Sequence, residues 1–191
     1  HLDGFCLLYA FVNAFKALKY PNRTASWFVN NQSHVWQKLI SVSPSLQNFA
    51  SGEGSRFGAS TDSTDVILKE RFFDLCAAVV GDRKKEKFTA RRIPASDLAT
   101  AIGKNSVALM CLGQEVQTEK CHINDHWVCV VDVDENKYFL ACSYTDYLSD
   151  NFDKPSVSPG YKRPFNNIIA KQSVNKRTVV EDSVYRFSMA E

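Results

Sequence analysis

From Phe5 to Pro21 the sequence FCLLYAFVNAFKALKYP is apolar on nearly every face. Leu8, Phe11, Phe15 and Leu18 recur at helical spacing, and Leu7, Ala10 and Ala14 fill the adjoining stripe. A helix apolar on most faces must be buried, so this segment is expected to be the central helix of a lobe. Asp3-Gly4 reads as a tight loop feeding its start, and Pro21 stops it.

The following stretch is less regular. HVWQKLISV predicts a short helix, and SGEGSRFGASTDS reads as a Gly/Ser-rich loop. Asp62, Ser63 or Thr64 can cap a second long helix, TDVILKERFFDLCAAVV. Its expected apolar face is Ile67, Phe72/Leu75 and Val79, with Gly81 as its stop. GDRKKEKFTARR sets six basic residues against two acidic ones and reads as a solvated loop. PASDLATAIG predicts a short helix between Pro94 and Gly103.

The period then changes. SVALMCLG, HWVCVVDV, KYFLACSY and SVYRFSM are short runs rich in β-branched and aromatic residues, separated by turn chemistry. HWVCVVDV-DENK-YFLACSY reads as a β-hairpin. Helices first and antiparallel strands second predict an α+β fold, a helical lobe against a β-sheet lobe. We expect one domain over 1–191, mainly helical over 1–104 and mainly β over 105–191.

Composition narrows the class. Hydrophobic residues make up 45% and charged residues 23% of the 191, as in a globular protein. A net charge of +2 gives no reason to expect nucleic acid or a membrane surface as partner. No apolar run approaches the ~18 residues of a membrane span. No signal peptide or lipidation motif is present, and a chain that begins on His1 reads as a fragment or processed product. Six cysteines stand at 6, 76, 111, 121, 129 and 142. Cys76, Cys111 and Cys129 lie inside apolar runs, where a reduced thiol packs as a small hydrophobe, so a reducing, cytoplasmic compartment is expected. Against it stand two N-glycosylation triplets, Asn22-Arg23-Thr24 and Asn31-Gln32-Ser33, which also arise by chance.

Two residues carry candidate chemistry. Cys6 opens the buried helix, where the dipole and the first-turn N–H groups favour thiolate and can hold an oxyanion. A cysteine nucleophile needs a base, and four histidines are available, at 1, 34, 122 and 126. His126 opens a strand, a rigid platform from which a ring can reach the facing lobe, with Trp127 beside it to exclude water. Zinc is the rival for Cys121, His122, His126 and Cys129. On a strand His126 and Cys129 point to opposite faces, so no metal or other cofactor is expected.

Asp3-Gly4-Phe5-Cys6-Leu7-Leu8-Tyr9-Ala10 resembles the D-G-x-C-L-F-x-A nucleophile motif of ovarian-tumour-type deubiquitinases. His126-Trp127-Val128-Cys129-Val130-Val131, followed by Tyr138-Phe139-Leu140, is similar to the His hairpin of papain-like bacterial effector proteases and picornavirus leader proteases. Together they resemble the papain-like cysteine protease superfamily. The resemblance implies Cys6 as nucleophile, His126 as base and an oxyanion hole near Asp3. In the effector and leader proteases a carboxylate or amide follows the second strand and orients the His; here Ala141-Cys142-Ser143 stands there.

Hairpin geometry suggests the third member. If Glu135-Asn136 is a two-residue turn, Asp134 pairs with Lys137 and His126 with Thr145, and Ser143 shares the face of His126. Ser143 is therefore the expected orienting partner. A hairpin one residue longer would put Cys142 there, and Asp146 is the outside candidate. The implied reaction is peptide or isopeptide hydrolysis through a thioester, on a protein substrate with ubiquitin or a ubiquitin-like protein among the candidates. The resemblance also suggests a viral or bacterial protein acting in a host cell. Two alternatives remain: a glutamine deamidase or transglutaminase-like enzyme, and a non-catalytic binding module on the same scaffold. Sequence leaves the oligomeric state open.

Overall fold

A computed structural model describes residues 5–44, 46–47, 63–81, 86–143 and 156–190. Helix α1 (Cys6–Lys19) is the all-round apolar segment, and Leu7, Leu8, Ala10, Phe11, Ala14, Phe15 and Leu18 are all buried. It ends at Tyr20, whose N–H donates to the Lys16 carbonyl at 2.8 Å, just before Pro21.

Helix α2 (Ala25–Val42) is longer than the HVWQKLISV reading. Thr24 caps it, accepting the Trp27 N–H on Oγ1 at 3.1 Å, and a kink at Gln32 (φ −128°) marks the polar stretch that hid its first half. Helix α3 (Ser63–Val80) corrects the expected face. Ile67 and Leu75 are about half exposed, while Phe72, Phe73, Cys76, Ala77 and Val80 are buried together with Lys69. The inward stripe follows 69, 72/73, 76 and 80, and Lys69 can lie on it because its Nζ donates to Ser183 Oγ at 3.0 Å. The loop expected at 51–63 falls almost wholly outside the described residues.

The basic stretch conceals a strand, β1 (Phe88–Arg92). Phe88 and Ala90 point inward while Thr89, Arg91 and Arg92 face water, an alternation that the surrounding charge obscured. A 3₁₀ turn (Ala95–Asp97) and the short α4 (Leu98–Ala101) lead into β2 (Ser106–Leu112). Next come β3 (Val116–Gln117), β4 (His122–Ile123), β5 (His126–Val133) and β6 (Lys137–Ala141). The chain finishes through β7 (Ser156–Val157), β8 (Pro164–Phe165), β9 (Asn167–Ala170) and β10 (Val179–Met189). Of these, β3, β4, β7, β8 and β9 carry no run long enough to stand out from sequence.

The fold is α+β. One six-stranded sheet has the order β1-β10-β2-β5-β6-β9, with every neighbouring pair antiparallel. Helices α1, α2 and α3 cover one face, over Leu109, Cys111, Trp127, Cys129, Tyr185 and Phe187. The other face carries Met110, Leu112, Val128, Val130 and Leu140, covered by Leu98, Ile102, Val116 and Ile123. Burial on both sides explains why β2 and β5 read as unbroken apolar runs. Each fully buried large side chain contributes about 2 kcal/mol of transfer free energy, so the central helix and the two inner strands dominate the core. Among the described residues no helix is long and apolar enough to cross a membrane.

Candidate active site

Cys6 stands where the sequence put it, as the first residue of α1, and is 1% exposed. The residue before it, Phe5, offers no side-chain cap, so the first-turn N–H groups point away from the helix without a capping carboxylate or hydroxyl from that position. His126 is the first residue of β5. Asp125 before it holds a left-handed φ of 45°, a conformation that Asp tolerates better than most residues, and this turns the chain into the strand.

His126 stands at one end of the β2–β5 ladder, and the influence of Cys6 is felt at Cys111 on the neighbouring rung. Cys111 pairs with Trp127 and Leu112 with His126. The Cys111 thiol is pushed up by burial and then by its neighbours Cys6 and Asp125, with Lys69 opposing. Cys6 is therefore within electrostatic range of Cys111, whose partner Trp127 is one rung from His126. Along β5, Trp127, Cys129 and Val131 join the core beneath α1, whereas Val128 and Val130 join the opposite one. By alternation His126 belongs with the second set, so Cys6 and His126 approach the ladder end from its two faces.

Burial lowers the His126 pKa from 6.5 to about 4. The ring is therefore neutral at neutral pH. It is 1% exposed, and its Nε2 lies 3.4 Å from Cys142 Sγ.

That contact corrects the expectation for Ser143. The turn itself is as read, since Asp134 N–H donates to the Lys137 carbonyl at 3.0 Å. Val133 pairs with Tyr138 and Asp132 with Phe139, but past a bulge Val130 pairs with Leu140 and Cys129 with Ala141. The extra residue at Val131 moves the register by one, so Cys142 rather than Ser143 shares the face of His126. Ser143 Oγ is buried with no hydrogen-bond partner among the described residues. Asp3 and Asp146 lie outside the described residues.

The bulge is held from a distance. The Val131 carbonyl accepts from Arg163 Nη1 at 2.9 Å, and that guanidinium also binds the Ser106, Gly103 and Lys104 carbonyls. Asp132 accepts the N–H groups of Val133, Gly160 and Tyr161 at 2.8, 2.9 and 2.9 Å.

Three residues at the site escaped sequence reading. Asn166 Oδ1 accepts the Cys142 N–H and Asn166 Nδ2 donates to the Cys142 carbonyl, both at 2.8 Å. Asn13 Nδ2, on α1, donates to the Ala141 carbonyl at 3.2 Å. Asp125 is the third. None sits in a motif, and only the adjacency of Asp125 to His126 offered a signal. His122 is exposed, its Nδ1 2.8 Å from Glu115 Oε1. His34 is exposed on α2.

All six cysteines are free thiols. Burial pushes Cys76 and Cys129 up as it does Cys111, which suits packing and not nucleophilic attack. No family model, curated protein or solved structure matches the chain.

Proposed function

We propose that the protein is a papain-like cysteine hydrolase in which Cys6 attacks a carbonyl and His126 moves the proton. One observation supports the reading: a cysteine opens the central helix within electrostatic range of Cys111, and a histidine opens the inner strand one rung from the Cys111–Trp127 pair.

The Cys6 thiol gives its proton to the neutral imidazole as its sulfur bonds to the carbonyl carbon. The carbonyl π electrons move to oxygen, where first-turn N–H groups of α1 hold the oxyanion. Collapse breaks the C–N bond, and His126 returns its proton to the departing amine. Water, deprotonated by His126, then attacks the thioester and frees the carboxylic acid and the thiol. The substrate is a polypeptide with a peptide or isopeptide bond, ubiquitin or a ubiquitin-like protein among the candidates, and the reading sets the reaction inside a host cell.

A second reading, a non-catalytic binding module on the same scaffold, is favoured by the 1% exposure of Cys6, which leaves a substrate carbonyl little access in the free protein. Ubiquitin-based and peptide-based electrophilic probes, followed by mapping of the labelled residue, separate the two. Hydrolysis predicts that Cys6 is labelled, and that Cys6→Ala and His126→Ala abolish turnover while His34→Ala and His122→Ala do not. Full activity in Cys6→Ala, or a Cys6 that reacts no faster than a free thiol, would sink the hydrolase reading.

A further inference from the structure

We propose that Cys142 is the positioning residue of His126, a thiol standing where a carboxylate or amide would orient the ring, and that Asn166 exists at this site to hold it. The inference rests on the reading of Cys6 and His126 as the reacting pair.

The geometry is built and not incidental. β6 ends at Ala141, so the Cys142 backbone would have no ladder to lie in. The Asn166 side chain supplies one, taking both the N–H and the carbonyl of Cys142, while its own backbone N–H bonds to the Leu140 carbonyl at 2.9 Å. Asn13 ties the preceding carbonyl to the helix that Cys6 opens. These bonds fix the Cys142 sulfur 3.4 Å from Nε2, on a face chosen by the bulge at Val131. A thiol that merely filled space would need none of them.

The role follows from the two ring nitrogens. With Nε2 facing Cys142, Nδ1 is the ring atom that the proposed reaction assigns to the Cys6 proton. A neutral ring carries one proton, so Nδ1 can accept from Cys6 only in the tautomer whose Nε2–H donates to the Cys142 sulfur. As Nδ1 takes the Cys6 proton the ring becomes imidazolium, and it returns to that same tautomer when the leaving amine is protonated. Sulfur is a weak acceptor, so it biases the tautomer less than an oxygen would. Asn at this position, with its amide oxygen, should do the same work better.

That ordering distinguishes positioning from packing. A packing thiol tolerates Ala and suffers from a buried amide. A positioning thiol suffers from Ala and is rescued by Asn. The test is made on the full chain with iodoacetamide, reading Cys6 carbamidomethylation by peptide mass spectrometry, and with nitrogen NMR of the His126 ring. We expect the Nε2–H tautomer in the wild type and its loss in Cys142→Ala. We expect Cys6 alkylation to fall about tenfold in that variant, far less than the ~10⁴ for a triad carboxylate, because the lost acceptor is weak. Cys142→Asn should restore both, and Cys142→Ser serves if Asn fails to fold.

An unchanged tautomer and alkylation rate in Cys142→Ala overturns the proposal, as does labelling that maps to Cys142 itself. If Cys6 is inert in the wild type, the hydrolase reading fails instead. The tautomer then decides the Cys142 contact alone: Nε2–H lost in Cys142→Ala upholds it, and no change overturns it.

Discussion

The two ends of the β2–β5–β6 ladder use buried polar groups in opposite ways. At the end where β5 finishes, charged side chains are spent on backbone: Arg163 takes four carbonyls and Asp132 three N–H groups. At the end where β5 begins, Cys142 and His126 face one another side chain to side chain, and Cys6 is within electrostatic range of Cys111. A buried charge whose hydrogen bonds all go to backbone is a structural clip. A buried titratable group aimed at another titratable group can move a proton.

Mutation at the clipped end should cost stability first. Arg163→Ala strips donors from four carbonyls and should cost about 4 kcal/mol in urea unfolding, the range expected when a buried network is broken. A loss below about 1 kcal/mol would mean that water replaces the guanidinium freely.

The other end should show itself through pH. His126 titrates near 6.5 unfolded and near 4 folded, so the unfolded chain binds the extra proton between those values. Stability should therefore be fully present above pH 6.5 and lost as pH falls toward 4. The amount is about 3 kcal/mol for a shift of this size. His126→Gln should flatten that window, and unfolding midpoints at pH 4 and pH 7 would show whether it does. The acid limb of any turnover profile should fall at the same low pH, since a protonated ring cannot take the Cys6 proton.

Asp132→Asn is the gentlest of the three. The amide keeps one acceptor oxygen for three N–H groups, so a loss of about 2 kcal/mol is expected from thermal unfolding, with Cys6 alkylation reduced only as far as the bulge relaxes.

Much of this was legible because certain residues speak locally. The α1 stripe from Leu7 to Leu18, the strand β5 and the Asp134–Lys137 turn each follow from spacing within a short window. The face of α3 was misread because Ile67 and Leu75 are apolar yet exposed, while Lys69 is buried with Ser183 as its distant partner. The third site residue was misread for the same kind of reason. Nothing about Val131 in a run of valines says that its carbonyl is claimed by Arg163, far along the chain. Helix starts and turns are written in neighbours; register is written in partners that only folding brings close.

The bulge at Val131 also bears on how such a site could change over generations. Straightening it, so that Val131 takes Leu140 as its partner, would restore the unshifted pairing and present a hydroxyl, Ser143, to the imidazole in place of a thiol, with neither residue substituted. The loss of a bulge is usually counted as a change of shape. Here it would be a change of chemistry, made at the opposite end of the strand from the ring that feels it.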